Sequence, residues 1–177
     1  MRRSLLLCGL VVAFLLVCPT GAMARGALPE LPAQVKALLD GDRIPLKEVV
    51  NHHCHDLTAP TYRCFDTEAE RDADALAFLG EQPIIAPLSS LSFTFALVYA
   101  AANYGGSSLM ISAPTPDLGV VGWNNVISSF KSTNGGRPKW WSGFNYSGSA
   151  SQWPTSAWVP YVGDLVDNTF SSVKNVP

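Results

Sequence analysis

Two stretches of this chain repeat each other at a spacing too short for two independent domains. Tyr99, Asn103, Tyr104 and Gly106 recur 42 residues later as Trp141, Asn145, Tyr146 and Gly148. Further on, Asn124-Asn125-Val126-Ile127-Ser128-Ser129 recurs 43 residues later as Asp167-Asn168-Thr169-Phe170-Ser171-Ser172, so one inserted residue separates the two registers. A unit of this length is a single supersecondary motif that cannot bury its apolar face alone, and its two copies must therefore pack on each other.

The unit is a β unit. Phe93, Phe95, Leu97 and Tyr99 alternate with Thr94, Ala96, Val98 and Ala100, the period of two that marks a half-buried strand. Clusters of Gly, Ser, Asn and Pro then return at intervals of about eight to twelve residues, as in a sandwich of short strands. Each copy carries an aromatic, four residues, a second aromatic, one residue and a glycine, followed later by serine. This pattern resembles the Greek-key signature of the βγ-crystallin superfamily, and the resemblance spans residues 93–177. It implies an all-β domain of two Greek-key motifs packed as a βγ-crystallin-like sandwich. The glycine fits that role because its turn needs a positive φ that other residues adopt at a cost.

In calcium-binding members of that family the hexapeptide is the ion-binding element, and both copies here are intact. The resemblance implies calcium as the bound ion and ligand exchange between the repeats. Asn124, Asn125 and the Val126 carbonyl would work with Ser171. Asp167, Asn168 and the Thr169 carbonyl would work with Ser128. Calcium takes six to eight oxygen ligands, and amide, carboxylate, carbonyl and hydroxyl oxygens are what the hexapeptides offer. The alternative comes from lens-type relatives, where the same segment only turns the chain and its polar side chains cap local amides. Asp167 is the only carboxylate in either hexapeptide, so weak to moderate binding is expected.

Composition changes ahead of the repeat. Residues 25–92 hold eleven of the fourteen acids, all three histidines and both Cys54 and Cys64; residues 93–177 hold every tryptophan and no Cys, His or Glu. The stretch 82–92, with two prolines, reads as a linker. The region 25–81 reads as helix and loop: a short helix at Val35–Leu39 ended by Gly41, and a second from Glu68 to Leu79 ended by Gly80. Thr67-Glu68-Ala69-Glu70 is a capping box for the second, whose apolar stripe is Ala69, Ala73, Leu76 and Ala77.

Residues 1–24 read as an export signal. Arg2 and Arg3 precede an apolar run from Leu5 to Val17, and Ala22-Met23-Ala24 offers small residues for cleavage. The run is shorter than the roughly 20 residues needed to span a membrane. A secreted, extracellular protein without membrane attachment after cleavage is the expectation. Cys54 and Cys64 can then form a single intramolecular disulfide. Without Arg2 and Arg3, ten bases face fourteen acids, which argues against a nucleic-acid partner.

Catalysis is not expected. A serine nucleophile needs a base, most often His, and the repeat half has none. His52-His53-Cys54-His55-Asp56 resembles a metal cluster, but adjacent residues rarely converge on one ion and the spacing is not that of a zinc site, so a solvated His-rich loop is expected. Of Trp140 and Trp141 only one can face a core, and Trp140 is assigned to the surface. Two functions remain: a calcium-stabilised structural or binding module, and an inhibitor of an extracellular metalloproteinase, since secreted microbial inhibitors share the fold. Those inhibitors carry disulfides within the crystallin domain, and this chain has no cysteine there. The remaining partner class is an extracellular protease or a cell-wall component.

Overall fold

In each repeat the first strand runs straight into a hairpin that folds back over it. β5 (Ala96–Ala101) leads through Asn103 and Tyr104, both at positive φ, into β6 (Gly105–Ile111), and Gly106 has φ 74°. β8 (Pro138–Trp141) leads through Asn145 and Tyr146, again at positive φ, to Gly148 at 77° and β9 (Ala150–Gln152). Asn tolerates this left-handed region better than most residues, which explains why Asn stands at both positions.

The computed structural model describes residues 34–78 and 94–177, all within the compact unit Ala33–Pro177. The expected export signal, the linker at 82–92, Leu79, Gly80 and Phe93 lie outside the described residues. The remaining elements are β1 (Lys36–Leu39), β2 (Asp42–Ile44), β3 (His53–Thr58), β4 (Thr61–Phe65), α1 (Glu68–Phe78), β7 (Ser129–Ser132), β10 (Trp158–Val159) and β11 (Ser172–Asn175).

The two motifs exchange their third strands. β10, from the second motif, pairs with β7 of the first. Thr115, from the first, bridges Val173 in β11 of the second. One sheet therefore runs β10-β7-β5-β6 and the other β11-β8-β9, two interlocked Greek keys. Between them Ala96, Val98, Ile127, Phe130, Trp140, Phe170 and Val173 form the main core. Trp140 is fully buried and packs 5.2 Å from Phe130 and 5.3 Å from Phe170, ring to ring.

The segment ahead of the repeat extends one sheet. β3 lies parallel to β6, with Cys54 opposite Leu109, and the sheet continues through β4 and β1 to β2. Cys54 and Cys64 form a disulfide directly across the β3–β4 pair. Four strands thus accompany the expected helix. Val35–Leu39 is not helical: Lys36–Leu39 is β1, joined to β2 by Asp40-Gly41, both at positive φ. An Asp-Gly pair between short strands favours the two-residue hairpin turn whose twist matches the strands, and that turn chemistry outweighs the local helical pattern.

α1 begins at the expected capping box. Glu70 N donates to the Thr67 hydroxyl and Thr67 N to the Glu70 carboxylate. Its buried face differs from the expected stripe, because Ala69, Ala73 and Ala77 are exposed while Arg71 and Ala75 are fully buried. Arg71 donates to Glu68 at 2.9 Å, to Asp72 and to the Ser108 hydroxyl, and the Tyr99 hydroxyl donates to Glu68 at 2.9 Å. A buried charge is tolerated when it is paired and hydrogen-bonded in this way. The helix thereby covers Leu97, Tyr99 and Met110 on the outer face of β5–β6. β5 is consequently buried on both faces and not half-buried as expected.

Residue type tracks this cover. Leu97 and Met110, beneath α1, correspond at the repeat offset to Lys139 and Gln152 on the sheet that no helix covers among the described residues. Gly122 is a glycine for a related reason: with φ at 77°, a Cβ there would meet the Lys47 carbonyl at 2.7 Å, where the 3-10 turn Leu46–Asn51 lies against the first motif.

Two outcomes follow for stability. Replacing Cys54 and Cys64 together by Ala should lower unfolding free energy by about 2–3 kcal/mol, the loop-entropy value for a closure this short, read from denaturant unfolding. Asp56 is buried and accepts from Ser112 N at 2.7 Å, and burial pushes its pKa up to about 6. A carboxyl raised in the folded state weighs against folding above that pKa, and the penalty fades as pH falls toward the unfolded value. Asp56→Asn should therefore stabilise at pH 7 by on the order of 1–3 kcal/mol and hardly at all at pH 4. Equal melting shifts at both pH values would show that ionisation of Asp56 plays no part.

Candidate functional site

The two hexapeptides meet at the pseudo-twofold between the motifs. Asn125 N donates to the Phe170 carbonyl at 2.9 Å, and Asn168 N donates to the Ile127 carbonyl at 3.3 Å. Each turn is thus strapped to the strand entry of the other repeat. Asn124 and Asn125 come beside Phe170-Ser171, and Asp167 and Asn168 come beside Ile127-Ser128. Both hexapeptides show the same burial sequence, with the second residue exposed and the last three buried.

Position by position, the residues divide into two kinds. Asn125 and Asn168 are exposed and have φ of 57° and 54°, so the conformation itself accounts for Asn at both places. Ser129 and Ser172 are fully buried and tie the hairpins. Ser129 Oγ accepts from Tyr104 N at 3.1 Å and donates to the Ala101 carbonyl at 2.6 Å; Ser172 Oγ accepts from Tyr146 N at 3.0 Å and donates to the Gly143 carbonyl at 2.7 Å. Each strap holds an edge-to-face pair, Tyr99 with Tyr104 and Trp141 with Tyr146.

The first and fifth positions are different in kind. Asn124 Oδ1 and Asp167 Oδ1, at the same place in the two repeats, are buried and have no hydrogen-bond partner. A buried oxygen left in this state costs about 1–3 kcal/mol. The other carboxylate oxygen of Asp167 accepts from Asn168 Nδ2 at 3.0 Å. Ser128 and Ser171 are nearly buried, and Ser171 Oγ donates to the Ser142 carbonyl at 3.0 Å. Val126 and Thr169 are partly buried, and the Thr169 hydroxyl donates to the Val166 carbonyl at 2.8 Å.

Asp117 joins this neighbourhood without any signal in the hexapeptide pattern. Its carboxylate caps the 3-10 turn Leu118–Val121 by accepting from Gly119 N at 2.7 Å. The place a Cβ on Gly119 would take is 2.9 Å from Asp117 Oδ1 and 3.6 Å from Asn124 Cβ. A negative charge thus lies beside the hexapeptide that carries none of its own.

The other candidates resolve into structural contacts, and the histidine segment is not a solvated loop: His53–Thr58 is β3, with His55 and Asp56 buried because the strand lies between β4 and β6. His53 hydrogen-bonds with Ser108 Oγ at 2.8 Å, His55 with Asp74 at 2.8 Å, and His52 pairs with Asp66 at 3.6 Å, so the three rings go to three different partners. Burial lowers the pKa of both His53 and His55. Among the described residues no three His, Cys, Asp or Glu side chains converge to hold a metal. Trp140 is not the exposed member of its pair. The aromatic of the repeat lies on the outer face, where the hairpin folds over it, so Trp141 faces outward and its neighbour faces the core. Lys139 and Lys174 lie 5.3 and 5.5 Å from the Trp141 ring, and Lys131 lies 4.6 Å from that of Tyr104, within cation–π range.

Solved structures similar to this chain are βγ-crystallin domains. One from an archaeon is 26% identical, with a TM-score of 0.42 over 47% of this chain and 98% of its own. A domain from Clostridium beijerinckii is 22% identical, with a TM-score of 0.41 over 46% of this chain and 95% of its own. A βγ-crystallin from Ciona intestinalis is 25% identical, with a TM-score of 0.41 over 46% and 98%. No family model and no curated protein matches the chain. Its resemblance is to the βγ-crystallin superfamily, and the exchanged third strands and the two serine straps display the Greek-key pair independently.

The straps have a direct test. Ser129→Ala leaves the Tyr104 amide without its acceptor and should cost about 1–3 kcal/mol of stability, measured by denaturant unfolding. A loss within a few tenths of a kcal/mol would mean that aromatic packing alone holds the hairpin.

Proposed function

We propose that the protein is an exported, non-catalytic module that binds calcium at two sites formed between its Greek-key repeats. The observation that carries this reading is the pair of buried, partnerless oxygens, Asn124 Oδ1 and Asp167 Oδ1, at equivalent places in both hexapeptides. A turn built only to reverse the chain would be expected to satisfy such atoms locally. The neighbouring groups are all oxygen donors, the set a hard cation selects.

One site takes Asn124, with Asn125 and the Val126 carbonyl, together with Ser171 from the other repeat. The other takes Asp167, with Asn168 and the Thr169 carbonyl, together with Ser128. The straps from Asn125 to Phe170 and from Asn168 to Ile127 support this crossed pairing. Bound calcium supplies charge that links the two motifs; the chain's own part is to hold the oxygens and keep water from part of the shell. Asp167 gives its site a carboxylate, while Asp117 lends the Asn124 site charge through space. Export is supported by the Arg2-Arg3 start, the apolar run and Ala22-Met23-Ala24. The Cys54–Cys64 disulfide agrees with an oxidising compartment. Among the described residues no helix is long and apolar enough to cross a membrane.

Calcium should raise the melting temperature, since a ligand that binds only the folded state adds RT ln(1 + [L]/Kd), about 1.4 kcal/mol at ten times Kd. Isothermal titration then separates the sites. Ser128→Ala should remove the step that depends on Asp167, and Ser171→Ala the step that depends on Asn124. Asp167→Asn should weaken the first step while the fold is kept. Absence of any shift at several times the roughly 10⁻³ M typical of weak extracellular sites would reduce the hexapeptides to turns.

A further inference from the structure

Residues 93–177 contain three side-chain carboxylates, Asp117, Asp164 and Asp167, and all three lie in or just ahead of the turns by which each motif crosses to the other. The two crossings are built alike. Leu118 N donates to the Ser171 carbonyl at 2.9 Å, and Val162 N to the Ser128 carbonyl at 3.0 Å. Asn145 N donates to the Pro116 carbonyl at 2.8 Å, and Asn103 N to the Pro160 carbonyl at 2.6 Å. These bonds make Asp117 the equivalent of Tyr161, and Gly119 that of Gly163. On this frame the acids are complementary. Where the hexapeptide opens with Asn124, the loop ahead of it carries Asp117; where it opens with Asp167, the loop carries Tyr161, whose hydroxyl donates to Asp164 at 2.6 Å.

Capping the 3-10 turn Leu118–Val121 does not account for an acid at 117. The cap is one bond, from Gly119 N to Asp117 Oδ1, and Asn, Ser or Thr supplies such a bond as well. Among the described residues no Lys, Arg or His pairs with this carboxylate. Backbone conformation does not account for Gly119 either. Gly163 has φ 96° and nothing within 4 Å of the place its Cβ would take, whereas Gly119 is not among the positive-φ glycines. Space accounts for it. A Cβ on Gly119 would stand 2.9 Å from Asp117 Oδ1, 3.6 Å from Asn124 Cβ and 3.7 Å from the Phe144 ring. The glycine thus keeps clear the gap between an acid with an oxygen to spare and the residue whose buried Oδ1 has no partner.

We infer that Asp117 is itself a ligand at the Asn124 crossing, its second carboxylate oxygen joining Asn124, Asn125, the Val126 carbonyl and Ser171; the inference rests on the calcium reading of that site. A carboxylate can accept from a backbone amide with one oxygen and meet a cation with the other, so the cap on Gly119 is kept. Calcium is held by carboxylate, carbonyl, amide and hydroxyl oxygens, and its affinity follows the number of charged ligands. Each site then has one carboxylate, Asp117 from the loop in one and Asp167 from the hexapeptide in the other. Gly119 is a positioning residue that leaves the Asp117 carboxylate its place beside Asn124.

Calcium titration of the full chain by calorimetry tests this. Asp117→Asn keeps the shape and the cap, and it should weaken by about tenfold the step that Ser171→Ala removes, with the step that Ser128→Ala removes left as it was. Gly119→Ala changes no charge and should weaken the same step. Should Asp117→Asn fail to fold, Asp117→Ser, also a capping type, carries the test. Terbium separates contact from charge acting at a distance, because its luminescence decay in ordinary and heavy water counts the waters bound to it. With Ser128→Ala removing the other site, Asp117→Asn should add about one water to the shell, the replacement for a lost oxygen ligand. Two calcium steps that the Asp117 variants leave unchanged overturn the inference while the calcium reading stands, and so does an unchanged water count. A wild-type chain that shows no calcium step overturns both.

Discussion

The buried hydroxyls of Ser129 and Ser172 carry the constraint on which the structure rests. Each takes the amide of the hairpin aromatic and gives its own proton to a carbonyl at the end of the preceding strand or just beyond it. That double bond fixes the hairpin over its first strand and fixes where the last strand of the motif starts. The four residues ahead of each serine are then forced into the turn between the motifs, where Asn125 and Asn168 reach the opposite repeat. The proposed ligand set lies in these turns, and Ser171, one position before its strap, gives its Oγ proton to the Ser142 carbonyl of its own hairpin.

The repeats are equivalent in backbone and unequal in what covers them. The first motif has α1 over its outer face and β3 along its edge; the second has neither among the described residues. Leu97 and Met110 against Lys139 and Gln152, and Gly122 against Leu165, follow from that difference. Arg71 shows how the cover is fixed. Its guanidinium is fully buried but meets Glu68, Asp72 and Ser108, so desolvation is offset by charge-assisted hydrogen bonds.

Much of this was legible in the chain. The 42- and 43-residue offsets gave the two motifs, because side chains at positive φ and at a buried hydroxyl are types that few residues can replace. The capping box at Thr67 and the Cys54–Cys64 pair were readable since both depend on neighbours close in sequence. Val35–Leu39 reads locally as helix although the Asp40-Gly41 turn that makes Lys36–Leu39 a strand is visible in the sequence. Trp140 was misplaced because alternation says that one of two neighbours faces inward and does not say which. Asp117 escaped because its approach to Asn124 depends on the turn through Gly119, not on spacing. The inward face of α1 was hidden for another reason: an apolar stripe predicts burial only when the buried surface is apolar, and here it is an arginine with its partners.

Sequence by itself determined the elements whose cause is local or repeated: the Greek-key pair, the positive-φ hairpins, the cap of α1 and the oxygen-rich hexapeptides. Tertiary structure alone decided which oxygens lost their partners on burial, that the two turns are strapped crosswise, and that one motif is covered while its copy is not. The physical reason is that desolvation and strand pairing are properties of what surrounds a residue. The chain between β4 and β5 does not record in its own pattern that β3 will lie against β6, nor that among the described residues no strand lies on the equivalent side of β9.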